Sequence, residues 1–138
     1  MLKKAIYLIT EYELFDFPIQ LHELDQIFTD KGIEILISKH LRKPFVICDS
    51  VSIPYACTSE EYRCLLSHEA AHILFHDANS FFKSDLVNIK TEAQANAFAA
   101  YFLMPVFVFE EALYYCANDY ELSEEFGVTE EFVRFRKK

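Results

Sequence analysis

Two histidines four residues apart, His68 and His72, with Glu69 directly after the first, constrain this chain more than any other feature. As chemistry the pattern works only on a helix. There, positions four apart differ by about 40° of rotation and about 6 Å of rise, so both imidazoles project from one face toward one cation. Glu69 flanks that face, where a carboxylate can take the proton of a water activated at the metal. This division of labour is the zinc-hydrolase signature, and it requires a helix long enough to hold the motif rigid.

The sequence around the motif supplies that helix. Thr58-Ser59-Glu60-Glu61 offers a hydroxyl cap followed by acids in the first turn, and the helix is expected to run to about Asp77 with the motif in its second half. Twenty residues beyond His72, Glu92-Ala93-Gln94-Ala95-Asn96 leaves room for the chain to turn and lay a second helix beside the first. Catalytic zinc sites commonly take three protein ligands and leave a fourth position for water. His68, His72 and Glu92 make such a set, with one Zn2+ per chain. Asn96, one turn after Glu92, is placed to accept the outer N–H of His68 and fix its tautomer.

Other residues near the motif have blander readings. His76 continues the face of His72 but lies about 12 Å along the axis from His68, so it is expected to serve an interior hydrogen bond or a substrate contact and not the metal. Cys64, one turn before His68, reads as core. Among Tyr101, Tyr114, Tyr115 and Tyr120 nothing selects a donor for an oxyanion, and packing is the common use.

The rest of the chain reads as a single domain of 138 residues, with 1–58 as N-terminal helices and a small sheet, 59–105 as the zinc-site helices, and 106–138 as C-terminal helices. Residues 2 to 14 and about 19 to 31 pattern as amphipathic helices broken at Phe17-Pro18, with Gly32 as the stop of the second. Glu34 to Ser38 and Pro44 to Cys48 read as short strands forming a hairpin, with Val51 to Cys57 as a possible third strand. Residues 78 to 90 read as a loop, Thr91 as the cap of a helix ending near Pro105, and 106 to 117 as a further helix. A short helical pair split by Gly127-Val128-Thr129 ends the chain. The fold class is α+β, mostly helical and zincin-like, with the small sheet ahead of the motif helix.

Apolar residues are 52% of the chain, with 14 Phe and 8 Tyr, so core material is ample. The apolar run from Ala97 to Val108 is too short for a bilayer and contains Pro105, and no signal peptide is read at the N-terminus. Four cysteines without a Cys-x-x-Cys pair suggest reduced thiols and a cytoplasmic location. A net charge of −9 disfavours nucleic acid as a partner. From Asp119 to Glu131 there are six acids and no basic residue, which argues against DNA reading by the last two helices.

The run Ser67-His68-Glu69-Ala70-Ala71-His72-Ile73-Leu74-Phe75-His76, followed by Glu92-Ala93-Gln94-Ala95-Asn96 and on to Met104-Pro105, closely resembles the ImmA/IrrE family of metallopeptidases. Leu122 to Arg134 is similar to the helix-turn-helix-like tail common near that family's C-terminus. The resemblance implies zinc held by His68, His72 and Glu92, with Glu69 as general base. It also implies a protein substrate, a helix-turn-helix repressor of a phage, mobile element or stress operon. The chain is short for the family and carries Ala71 where Gly is common. A different class of function stays open: a metal-binding module that sequesters a repressor without cutting it.

Overall fold

A computed structural model describes residues 1–76 and 85–138, with side chains described from residue 88 in the second segment. Helix α1 (Leu2–Glu11) buries Ala5 and Leu8, and α2 (Leu21–Asp30) buries Leu24, Ile27 and Phe28, the i, i+3, i+4 spacing of one helix face. Gly32 ends α2 as its position suggested. Its φ of +88° lets the Ile33 N–H return to the Phe28 carbonyl at 3.0 Å while Ile33 packs inward.

Three strands follow: β1 (Glu34–Ser38), β2 (Phe45–Ile47) and β3 (Ser50–Pro54). Their order is β1-β3-β2, with β1 parallel to β3 and β2 antiparallel to it. The hairpin expected between β1 and β2 is therefore replaced by one between β2 and β3. The reason is local. Cys48-Asp49, with Cys48 at φ +52°, closes a two-residue turn, whereas β1 and β2 are separated by a longer connection. It is also β3 that carries the fully buried pair Val51 and Ile53, which suits it to the centre of the sheet, packed against the motif helix.

Helix α3 (Ser59–Phe75) starts on a complete capping box: Thr58 Oγ1 accepts the Glu61 N–H at 3.1 Å, and Glu61 Oε1 accepts the Thr58 N–H at 3.2 Å. Helix α4 (Asp85–Leu103) begins earlier than the expected Thr91, so residues 85–90 are helical and not loop. The remainder of the expected loop and Asp77 lie outside the described residues. Thr91 caps nothing, because its hydroxyl donates back to the Asn88 carbonyl at 2.9 Å, an interior use of the side chain.

Buried Ala95, Ala99 and Ala100 on α4 keep its surface shallow toward the core, and α3 packs on it. An aromatic series then ties α4 to its neighbours. Phe98 meets Phe75 of α3 at 5.0 Å and Phe102 at 5.5 Å, and Phe102 meets Phe28 of α2 at 5.8 Å between ring centroids. Each buried Phe contributes roughly 1.5–3 kcal/mol.

Helices α5 (Val106–Tyr115), α6 (Asp119–Phe126) and α7 (Glu130–Lys137) complete the chain. Asn118 and Thr129 cap the last two, and Gly127 turns between them at φ +62°. Arg136 is folded inward: its Nε donates to the Met104 carbonyl at 2.9 Å and its guanidinium lies over Tyr101 and Phe109. Buried Arg63 of α3 reaches the same end of the molecule, donating from Nε to the Ile19 carbonyl at 2.8 Å and from Nη1 to the Gly127 carbonyl at 3.1 Å. A Cβ on Gly127 would stand 2.5 Å from Arg63 Nη1, so glycine is required there by space as well as by φ.

The architecture is thus mostly helical α+β, with a small mixed sheet ahead of α3. Buried residues from β3 and from all seven helices among the described residues form one cluster, and α3 and α4 run through its middle. No single helix among the described residues is long and apolar enough to cross a membrane.

Candidate metal centre

His68 and His72 leave α3 one turn apart and meet Glu92, which reaches across from α4. His68 Nε2 is 3.1 Å from Glu92 Oε2, and His72 Nε2 is 2.7 Å from Glu92 Oε1. The two Nε2 atoms are 3.3 Å apart. One ligand atom from each of the three residues lies within 4.8 Å of the others, so the set converges on one locus. Two imidazole nitrogens and one carboxylate are donors suited to zinc, and the residues present fit that ion.

Access to the locus is one-sided. The histidine side chains are 14% and 21% exposed while Glu92 is 58% exposed, so the imidazoles are held by the core and the carboxylate faces solvent. Burial lowers the pKa of His72, and the neighbouring His68 lowers it further, while Glu92 opposes both. Neutral imidazole is the form that ligates metals. Burial also raises the Glu69 carboxyl above its ordinary value; His68 works against that shift and the charge of Glu92 adds to it.

Glu69 and His68 open on a cleft of about 450 Å³, also lined by Pro44, Leu65, Asn96 and Phe132. Its walls come from α3, α4, α7 and the approach to β2, so the sheet and the C-terminal helix both shape what can enter. A larger hollow of about 590 Å³ lies between α2 and β1, beside Asp25 and Tyr62, and holds none of the converging residues.

The other residues singled out by sequence fall differently. Asn96 lines the cleft beside His68 but makes no hydrogen bond to it. His76 stands on the opposite side of His72: its Nδ1 is 3.1 Å from His72 Nδ1, and its Nε2 is 3.1 Å from Gln94 Oε1. Gln94 was not singled out by sequence reasoning. The available signal was the four-residue step from His72 to His76, which places the rings side by side. Cys64 is 8% exposed, its thiol pushed up to about 11 by burial, and it does not belong to the converging set. No tyrosine lines the cleft. Tyr101 lies under Arg136, Tyr115 donates to Glu125 at 2.7 Å, and Tyr114 and Tyr120 are exposed.

Residues 51–138 match the model of a peptidase family described as the IrrE N-terminal-like domain. The match takes in β3, α3, α4 and the C-terminal helices, hence every residue of the candidate centre. No sequence among the curated proteins is similar enough to this chain to count as a match. Among solved structures, a Mycobacterium tuberculosis transcriptional regulator shares the fold over 98% of this chain, at a TM-score of 0.82 and 19% identity. The chain spans 45% of the length of that protein.

Proposed function

Because this chain belongs to the IrrE N-terminal-like peptidase family, we propose that it is a zinc-dependent endopeptidase that cuts one regulatory protein, a helix-turn-helix repressor. The observation that carries this reading is the convergence of His68, His72 and Glu92 beside a cleft that Glu69 also lines. The M. tuberculosis relative is a transcriptional regulator; a regulatory target for the present chain is part of the proposal and not of that likeness in fold.

His68, His72 and Glu92 would hold the ion. Zinc supplies Lewis acidity when bound, making water a stronger acid and a peptide carbonyl a better electrophile. Glu69, which lines the cleft beside His68, accepts the proton of the attacking water. The water oxygen bonds to the carbonyl carbon, the C–N bond breaks, and Glu69 returns the proton to the departing amine. Its partial burial suits the first half of this exchange, because a carboxylate with a raised pKa is a stronger base toward the water proton than a solvated one.

The decisive experiment is coexpression with a candidate helix-turn-helix repressor, followed by intact mass of the repressor with wild type and with Glu69→Gln. Cleavage at one bond by wild type is expected, with a loss of roughly 10²–10⁴ in rate and unchanged zinc content in the variant. Cutting by Glu69→Gln at the wild-type rate would sink the mechanism. A repressor that stays full length while its repression is relieved by both proteins would instead mark a metal-bound sequestering module.

A further inference from the structure

The cleft beside the candidate centre has a direction. Its floor is one stripe of α3, Glu61, Cys64, Leu65, His68 and Glu69, the spacing that puts side chains on a single helix face. His68 and Glu69 mark the end where a bond would be cut. Glu61 lies seven residues back, about 10 Å along the axis. The remaining walls are largely apolar, with Pro44 on one side and Phe132 and Phe135 of α7 on another. The two phenyl rings are stacked, 6.2 Å apart between centroids and 29° from parallel.

A second carboxylate borders the same space. Thr129, the cap of α7, hydrogen-bonds the Cys64 thiol, which sets the first turn of α7 against the N-terminal half of α3. Glu131 stands in that turn and lines the cleft. Both carboxylates are exposed, and Glu61 uses Oε1 for the Thr58 N–H. No Lys or Arg among the described residues lines the cleft to neutralise them.

We propose that this cleft is a specificity subsite for a basic side chain, arginine above lysine, on the substrate residue next to the bond that is cut. The proposal rests on the peptidase reading above. A cation on an apolar stem is the complement of apolar walls that carry carboxylates. A guanidinium also stacks on phenyl faces, which a strongly hydrated ammonium does less well. Asp or Glu at that place would set like charges together, so the cleft selects by rejection as well as by attraction. The same chemistry suits a DNA-binding target, whose surface is rich in Lys and Arg.

The test begins with NMR titration of the full chain without metal, using hexapeptides identical but for one central residue: Arg, Lys, norleucine or Glu. The Arg peptide is expected to bind roughly 5–10-fold more tightly than the norleucine peptide, and the Glu peptide most weakly. Glu131→Gln and Glu61→Gln each remove one charge, and the second keeps the oxygen that caps α3. Each should reduce the Arg advantage ~2–5-fold, and high salt should narrow it in wild type. Phe132→Leu keeps the wall apolar but removes the ring face, so it should cost the Arg peptide ~2–5-fold and spare norleucine. If that variant fails to fold, the two Glu variants carry the test.

Cut positions are read next. Zinc-loaded wild type acting on a mixed peptide pool should place Arg or Lys at one fixed position beside the cut, a preference lost in the double variant Glu61→Gln, Glu131→Gln. Equal binding of the Arg, norleucine and Glu peptides, or an Arg advantage undiminished in the double variant, overturns the subsite. So does cutting with no charge preference, which leaves the peptidase reading standing. A zinc-loaded chain that prefers the Arg peptide yet leaves both pool and repressor uncut overturns the peptidase reading, and the cleft stands as a binding site for basic segments.

Discussion

The two halves of α3 satisfy their polar side chains in opposite ways. In the N-terminal half, Arg63 is buried and its guanidinium ends on two backbone carbonyls, those of Ile19 and Gly127. In the C-terminal half, His68 and His72 meet another side chain, Glu92, whose carboxylate remains open to solvent. Backbone acceptors cannot leave, so the Arg63 contacts clamp the loop before α2 to the turn between α6 and α7 and are complete as they stand. Side-chain donors converging on one point can exchange one another for an ion. The same helix thus carries an architectural polar group and a set suited to a ligand, two turns apart.

The sharpest way to break this comparison is at the clamp. Arg63→Leu leaves two buried carbonyls without their donor, each costing about 1–3 kcal/mol, so a loss of ~2–6 kcal/mol is expected in urea unfolding. Zinc affinity of the folded fraction should stay at the wild-type value. A variant of wild-type stability would show that water replaces the guanidinium and that the clamp is not architectural. A fall in zinc affinity without loss of stability would tie Arg63 to the centre.

The centre should behave the other way round. Glu92→Ala removes an exposed carboxylate, so without metal its unfolding free energy should lie within about 1 kcal/mol of wild type. At free zinc 100-fold above its dissociation constant, wild type should gain about 2.7 kcal/mol, a gain the variant largely forfeits. Stripping zinc with a chelator should reverse the gain in wild type and leave the variant where it was. Equal stabilisation of both proteins at the same free zinc would remove Glu92 from the ligand set.

What could be read in the sequence follows from how local each signal is. The start of α3 was legible because its capping box lies within four residues, and the facing of His68 and His72 because helical spacing alone dictates it. Strand pairing was not. Whether Pro44 to Cys48 pairs with the strand before or after it depends on a contest between loops, which the two-residue turn at Cys48-Asp49 decided. Thr91 misled for a different reason: a hydroxyl that caps a helix also bonds back inside one, and residue type does not distinguish the two. The axial rise separates His76 from His68, but it says nothing of what lies beside His72, and the contact of Gln94 with His76 arises only once α4 is laid against α3.

Ser67 supplies the smallest and most discriminating effect, because it belongs to neither half. It directly precedes His68, it is fully buried, and its hydroxyl has no hydrogen-bond partner among the described residues. A desolvated hydroxyl without a partner costs free energy that neither a backbone acceptor nor a ligand set returns here. Alanine at this position removes the group, keeps the helix and gains about 0.5 kcal/mol in intrinsic propensity; the small void left by the oxygen takes part of that back. Ser67→Ala is therefore expected to raise stability by roughly 0.5–1 kcal/mol, against the usual direction for a buried substitution, with zinc affinity unchanged. Denaturant unfolding and chelator competition on one preparation read both quantities. Should the variant lose zinc affinity instead, the hydroxyl belongs with the centre, and the boundary between the two halves of α3 lies N-terminal to Ser67.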